Sequence, residues 1–143
     1  MHDRTKYEKK PWYPGLQKKD RQIWDRFIIK YPDAYREVIY NLHLGQGPKI
    51  PEGTSPELAK DFILLGQWKV DVVGYRDEHV DIIEVKPYAA LSALGQISAY
   101  GTLWQIFFPD KPLEALLIVT DNTTDDVKKV YAANAISLIE VGT

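Results

Sequence analysis

The chain has no cysteine, a single methionine and only three histidines in 143 residues. Without thiols there is no disulfide, no cysteine nucleophile and no cysteine-ligated zinc. His2, His43 and His79 show no metal-ligand spacing, so any bound metal is expected to be a hard ion held by oxygen. Also missing is an apolar run of about eighteen residues, the length that a bilayer span needs. The opening Met1-His2-Asp3-Arg4-Thr5-Lys6 is too polar to begin a secretory signal, and an intracellular, cytoplasmic protein is the expectation. Repeats and low-complexity segments are lacking as well. Length, with 45% hydrophobic and 27% charged residues, suits one globular domain.

A net charge of −2 argues against a uniformly basic nucleic-acid surface. The charge is uneven, however: residues 1–21 carry seven Lys or Arg against three Asp or Glu, about +4 beside about −6 for the rest. Tyr7, Trp12 and Tyr13 are interleaved there with Lys6, Lys9, Lys10, Lys18 and Lys19. Such a pattern suits a nucleic-acid strand through stacking and phosphate attraction; the alternative is a tail that packs Trp12 on the domain. Residues 1–17 are therefore set apart as a basic and aromatic segment ahead of a domain over 18–143.

Apolar spacing predicts a helix over Lys18 to Lys30, with Trp24, Phe27, Ile28 and Tyr31 on one face, ended by Tyr31-Pro32. Alternation predicts a strand over Glu37 to Leu44, followed by a breaker-rich loop from Gly45 to Thr54. Ser55-Pro56 suits a helix start, while Phe62 to Leu65 fits either that helix or the next strand. Farther on, helices are expected over Ala89 to Phe107 and Asp121 to Ala133, the latter capped among Asp121, Asn122 and Thr123. Strands are expected over Leu113 to Thr120 and Ile136 to Val141. Strands separated by helices indicate a mixed α/β sheet covered on both sides.

The most informative segment lies between. Trp68 to Tyr75 and Val80 to Lys86 are β-branched runs joined by a polar break, which reads as a hairpin. With Asp77-Glu78 as its loop, opposed residues have numbers adding to 155, and Asp71 faces Glu84. Two like charges at that separation destabilise a strand pair, so a cation is expected between them. Alternation puts Lys86 on the same face and turns the Val85 side chain away. Val70, Val72, Ile83 and Val85 would occupy one face, and Val73, Val80 and Ile82 would share the other with the charges. Charges between two covered faces are unfavourable unless paired or bound to metal. The alternative is an ion pair of Lys86 with Glu84 or Asp71.

Gln96 and Tyr100, four apart on the following helix, share a face with Ala89, Ala93, Leu103 and Phe107. Small residues including Gly95 and Gly101 keep this helix narrow, and a packing reason is expected for both glycines. Gln96 would then reach the acids; otherwise it is a buried glutamine bonded to backbone beside a core tyrosine.

Asp71, a hairpin, Glu84-Val85-Lys86 and then Gln96-Ile97-Ser98-Ala99-Tyr100 resembles the PD-(D/E)XK nuclease superfamily over the segment from Trp68 to Trp104. No proline precedes Asp71 here. The resemblance implies a restriction-endonuclease-like αβββαβ core and a Mg²⁺-dependent phosphodiesterase, with Mn²⁺ able to substitute. Asp71, Glu84 and the Val85 carbonyl would hold the metal, and Lys86 would serve the attacking water. Gln96 would stand behind the site or position phosphate, with Tyr100 as its support or a stacking surface, and Lys18 and Lys19 would meet the substrate. An acid on the first helix often joins such sites, and Asp20, Asp25 and, on the first strand, Glu37 are the candidates. The implied partner is nucleic acid, with DNA expected ahead of RNA. A dimeric Holliday-junction or flap resolvase and a catalytically silent binding module are the alternatives on the same fold.

Overall fold

The two β-branched runs on either side of Asp77-Glu78 form the central hairpin of the sheet. Pairs run from Arg76↔His79 down to Val72↔Ile83 in the expected register, and Asp77 takes a left-handed φ of 49°, as a tight two-residue turn requires. The computed structural model describes residues 4–142, apart from the side chains at 62 and 64–66. In chain order the elements are β1 (Thr5–Lys6), α1 (Lys18–Lys30), β2 (Glu37–Leu44), α2 (Pro56–Gly66), β3 (Trp68–Arg76), β4 (His79–Tyr88), α3 (Leu91–Phe107), β5 (Leu113–Asn122), α4 (Asp125–Ala133) and β6 (Ser137–Glu140). The six strands lie in sequence order. β1 to β4 are antiparallel, and β5 and β6 add in parallel after helical crossovers. This is the restriction-endonuclease-like αβββαβ core, from α1 through β2, β3, β4 and α3 to β5, with α2 inserted before β3.

Helices cover both faces, as the apolar residues on both sides of the hairpin require. Val72, Ile83 and Val85 pack with Trp24 and Phe27 of α1 and with Tyr7 and Tyr13. Val73, Tyr75, Val80 and Ile82 pack with Ala93, Ile97, Tyr100 and Trp104 of α3 and Tyr131 of α4. Residues 4–17 lie against the domain: β1 extends the sheet, the Tyr7 hydroxyl donates to the Tyr31 carbonyl at 2.6 Å, and the Tyr13 hydroxyl donates to Asp25. Trp12 stays 63% exposed.

Several expectations shift at element ends. Ser55 caps α2 by accepting from the Leu58 N–H, and the helix runs through Phe62 to Leu65, so that segment is not the start of a strand. β5 continues to Asn122, opposite Tyr88 of β4, which leaves the cap of α4 to Thr124 rather than Asp121, Asn122 or Thr123. Val70 is buried with Val73 and Ile82, not with Val72. The reason is a break in the β2–β3 ladder: Tyr40 pairs with Val72 and Leu42 with Val70, while Asn41 takes a left-handed φ of 55° beside Asp71. Alternation therefore changes phase at Asn41 and Asp71.

At the turn end of the hairpin, buried Asp81 accepts from the Tyr35 hydroxyl at 2.7 Å and from Arg76 at 3.1 Å, and Arg76 also reaches Glu114 at 2.8 Å. Gly74 makes room for Tyr35, since a Cβ there would lie 2.6 Å from the ring. Gly74→Ala should displace that ring and lower stability by about 1 to 3 kcal/mol, as overpacked cores do. Chemical denaturation at unchanged m-value would measure it; a loss within error of zero would mean that the ring moves freely.

Candidate functional site

The β3–β4 ladder gives way one residue past Val72↔Ile83, where Asp71 and Glu84 would be the next pair. Here each acid side chain binds backbone on the opposite strand. The Asp71 N–H donates to Glu84 Oε1 at 3.0 Å, and the Val85 N–H donates to Asp71 Oδ2 at 2.9 Å. Both carboxyls are thus fixed by main-chain donors, and Glu84 is only 2% exposed. Lys86 Nζ stands 3.9 Å from Glu84 Oε2 with its ammonium end toward solvent. Burial, followed by the charge of Asp71, pushes the Glu84 carboxyl up to about 9. Burial also raises Asp71, against the opposing effects of the Val85 N–H and Lys86. Two carboxyls this close oppose each other's ionisation, which adds to the effect of burial.

The surrounding acids sort cleanly. Asp20, in the first turn of α1, lies near enough that the charge of Lys86 acts on it, while burial raises its own carboxyl. It also adds negative potential at Asp71. Asp25 is taken up by the Tyr13 hydroxyl, and Glu37 pairs with Arg4 at 3.7 Å at the other end of β2. Of the three candidates, the fold brings Asp20 to the carboxylate pair. Lys18 and Lys19 are exposed in the same turn of α1.

Gln96 does not bond to backbone. Its Nε2 donates to the Tyr100 hydroxyl at 2.8 Å, and the charges of Glu84 and Asp71 both act on that hydroxyl. Burial and then the charge of Glu84 raise that hydroxyl to about 12. Trp68, which the motif reading passed over, meets the Tyr100 ring edge-on at 5.7 Å and is 47% exposed. A large ring three positions before the motif Asp, at a strand start, was the available signal. Gly101 has the expected packing reason, because a Cβ there would lie 2.9 Å from Leu116. Gly95 has none among the described residues: a Cβ there meets nothing of theirs within 4 Å.

Among the described residues no group of three or more His, Cys, Asp or Glu side chains is arranged as a metal centre, and no helix is long and apolar enough to cross a membrane. The all-oxygen pair does fit a hard cation, for Mg²⁺ commonly takes one or two carboxylates and completes its shell with water and phosphate.

No protein-family model and no curated protein matches this chain. Two solved structures share its fold. One is a protein of unknown function, AF1548, with a TM-score of 0.53 and 17% identity over 84% of this chain and 56% of its own. The other is EndoMS in complex with double-stranded DNA, with a TM-score of 0.50 and 14% identity over 93% of this chain and 48% of its own. The chain thus spans about half the length of each.

Two outcomes follow from this geometry. Glu84 keeps its proton in the native state up to about 9 but releases it near 4.5 when unfolded, so its contribution to stability is complete below 4.5 and is lost as pH rises through 9. In chelator, the melting temperature should fall over that window, and Glu84→Gln should flatten the profile; parallel profiles would show that Glu84 ionises normally. Gly95→Ala should stabilise the protein by about 1 kcal/mol, the usual helix-interior difference. A loss of stability in urea would reveal a packing constraint at that position.

Proposed function

We propose that the protein is a divalent-metal-dependent nuclease that hydrolyses phosphodiester bonds in DNA. The observation that carries this reading is the reciprocal Asp71–Glu84 pair with Lys86 at its rim. The fold shared with EndoMS, solved on double-stranded DNA, supports it. Two neighbouring carboxyls whose ionisation is opposed by burial and by each other are perturbed groups of the kind that cluster at functional sites.

In this reading Asp71, Glu84 and the Val85 carbonyl would hold Mg²⁺ or Mn²⁺, with Asp20 facing the same space. The metal, when bound, supplies a Lewis acid toward water and toward a phosphate oxygen. The remaining work falls to the protein. Hydrolysis requires a water in line with the leaving oxygen and positive charge where the negative charge of the transition state develops. Lys86, with its Nζ 3.9 Å from Glu84 and its side chain partly exposed, orients that water and offsets that charge. Asp20 accepts a hydrogen bond from the same water. Gln96 fixes the Tyr100 hydroxyl, which keeps the wall beside Glu84 polar and in place. Lys18 and Lys19 attract the flanking phosphates.

Purified protein should cleave DNA with Mg²⁺ or Mn²⁺ and not in chelator. Asp71→Ala, Glu84→Ala and Lys86→Ala should each reduce cleavage by about 100-fold or more, the usual consequence of losing one charge-stabilising group. Added Mg²⁺ should raise the melting temperature of the parent more than that of Asp71→Asn. Full cleavage by the Glu84 and Lys86 variants would sink the assignment, and equal Mg²⁺ shifts would remove Asp71 as a ligand.

A further inference from the structure

Gly95 is in the interior of a long helix, where glycine is the least favourable residue short of proline. Packing against the described residues does not explain it, since none of them comes within 4 Å of a Cβ built there. That space is part of a groove of about 500 Å³ lined by Trp68, Gly95, Gln96, Ala99 and Tyr100. A second hollow of about 400 Å³ meets it at Trp68 and Ala99 and continues past Leu44, Gly47 and Leu103. One wall is the half-exposed indole of Trp68; the other is the Gly95 and Ala99 face of α3, almost bare of side chain. Trp68, steadied edge-on by Tyr100, and the small residues Gly95 and Ala99 thus line one open, mainly apolar groove.

The groove adjoins the carboxylate site through Tyr100, which lines the groove and whose hydroxyl feels the charges of Glu84 and Asp71. Trp68 precedes Asp71 on β3 by three residues, about 10 Å along a strand. A strand with one phosphate beside Lys86 would therefore have a neighbouring base within reach of Trp68. Every base offers a flat π-face, whereas bases in a duplex already stack on one another and are not free to turn aside.

We propose that the groove between Trp68 and the Gly95 and Ala99 face of α3 is a nucleobase subsite. It receives an unpaired base of the strand whose phosphate lies at Asp71, Glu84 and Lys86, so the preferred substrate carries an unpaired nucleotide beside the scissile bond. The location of that phosphate rests on the nuclease reading; the stacking itself is tested without cleavage.

The probes are a DNA duplex with one unpaired 2-aminopurine, the same duplex fully paired, and single-stranded DNA and RNA, all bound in chelator. The unpaired duplex and the DNA single strand should bind about tenfold more tightly than the paired duplex, in line with the contribution of one aromatic stack. The 2-aminopurine emission should be quenched on binding. Trp68→Leu, at an exposed ring, and Gly95→Leu, into open space, should each remove the preference and the quenching with circular dichroism unchanged. Parent quenching decides the matter even if one variant fails to fold. RNA bound as tightly as single-stranded DNA also supports the subsite, because stacking reads the base and not the sugar. Equal affinity for paired and unpaired duplexes, or variants that bind like the parent, would overturn it and leave the groove to an apolar protein segment. If the preference depends on Trp68 but Mg²⁺ brings no cleavage of any probe, the nuclease reading fails and the subsite stands. If paired and unpaired probes are cleaved alike by parent and variants, the subsite fails and the nuclease stands.

Discussion

The structure turns on one exchange of hydrogen bonds, in which the carboxylates of Asp71 and Glu84 take main-chain donors from each other's strands. The β3–β4 ladder ends just before this point, and the acid oxygens accept from the Asp71 and Val85 N–H groups in its place. The same contacts bring a buried carboxyl and a half-buried one together. Native packing thereby sustains a charge conflict that a proton relieves and that a hard cation of the right size would relieve better. Stability and proposed chemistry depend on one and the same pair.

Such a conflict persists only where the surrounding structure is rigid. Helix α1 and the residues before it cover one face of the hairpin, and α3 and α4 cover the other. The turn end is tied by Asp81, Tyr35, Arg76 and Glu114, with Gly74 admitting the Tyr35 ring. The hairpin is thus pinned at its turn and buried along its length. The break in alternation at Asn41 and Asp71 falls at the open end, beside the point where the β3–β4 ladder stops.

Around that open end, each flanking element contributes a different kind of group. α1 brings Asp20 with Lys18 and Lys19 beside it, β4 brings Lys86, and α3 brings Gln96 and Tyr100. Glu84 at the centre is buried and Asp71 half-buried, the lysines are at the rim, and the aromatic groove runs off to one side. That gradient from buried charge to solvated charge to apolar slot follows the chemical layout of a nucleotide, whose phosphate and base make opposite demands.

Local information was enough for much of this. The hairpin, its register and the opposition of Asp71 to Glu84 were legible because a two-residue turn and period-two alternation fix pairing over a short stretch of chain. Helix α1 and strand β2 were legible from apolar spacing, and Ser55-Pro56 marked the start of α2. What required the tertiary structure were relationships between distant segments. Asp20, Asp25 and Glu37 are equivalent as residue types, and only packing assigns Asp25 to Tyr13, Glu37 to Arg4 and Asp20 to the site. Gly95 and Gly101 look alike in a helix, and only the position of Leu116 separates a packing glycine from one that leaves a groove open. Val70 changed faces because a left-handed residue on the neighbouring strand broke the alternation. Sequence determines periodicity and turn chemistry, which act over a few bonds; which groups meet across the sheet is decided by packing, which acts through space.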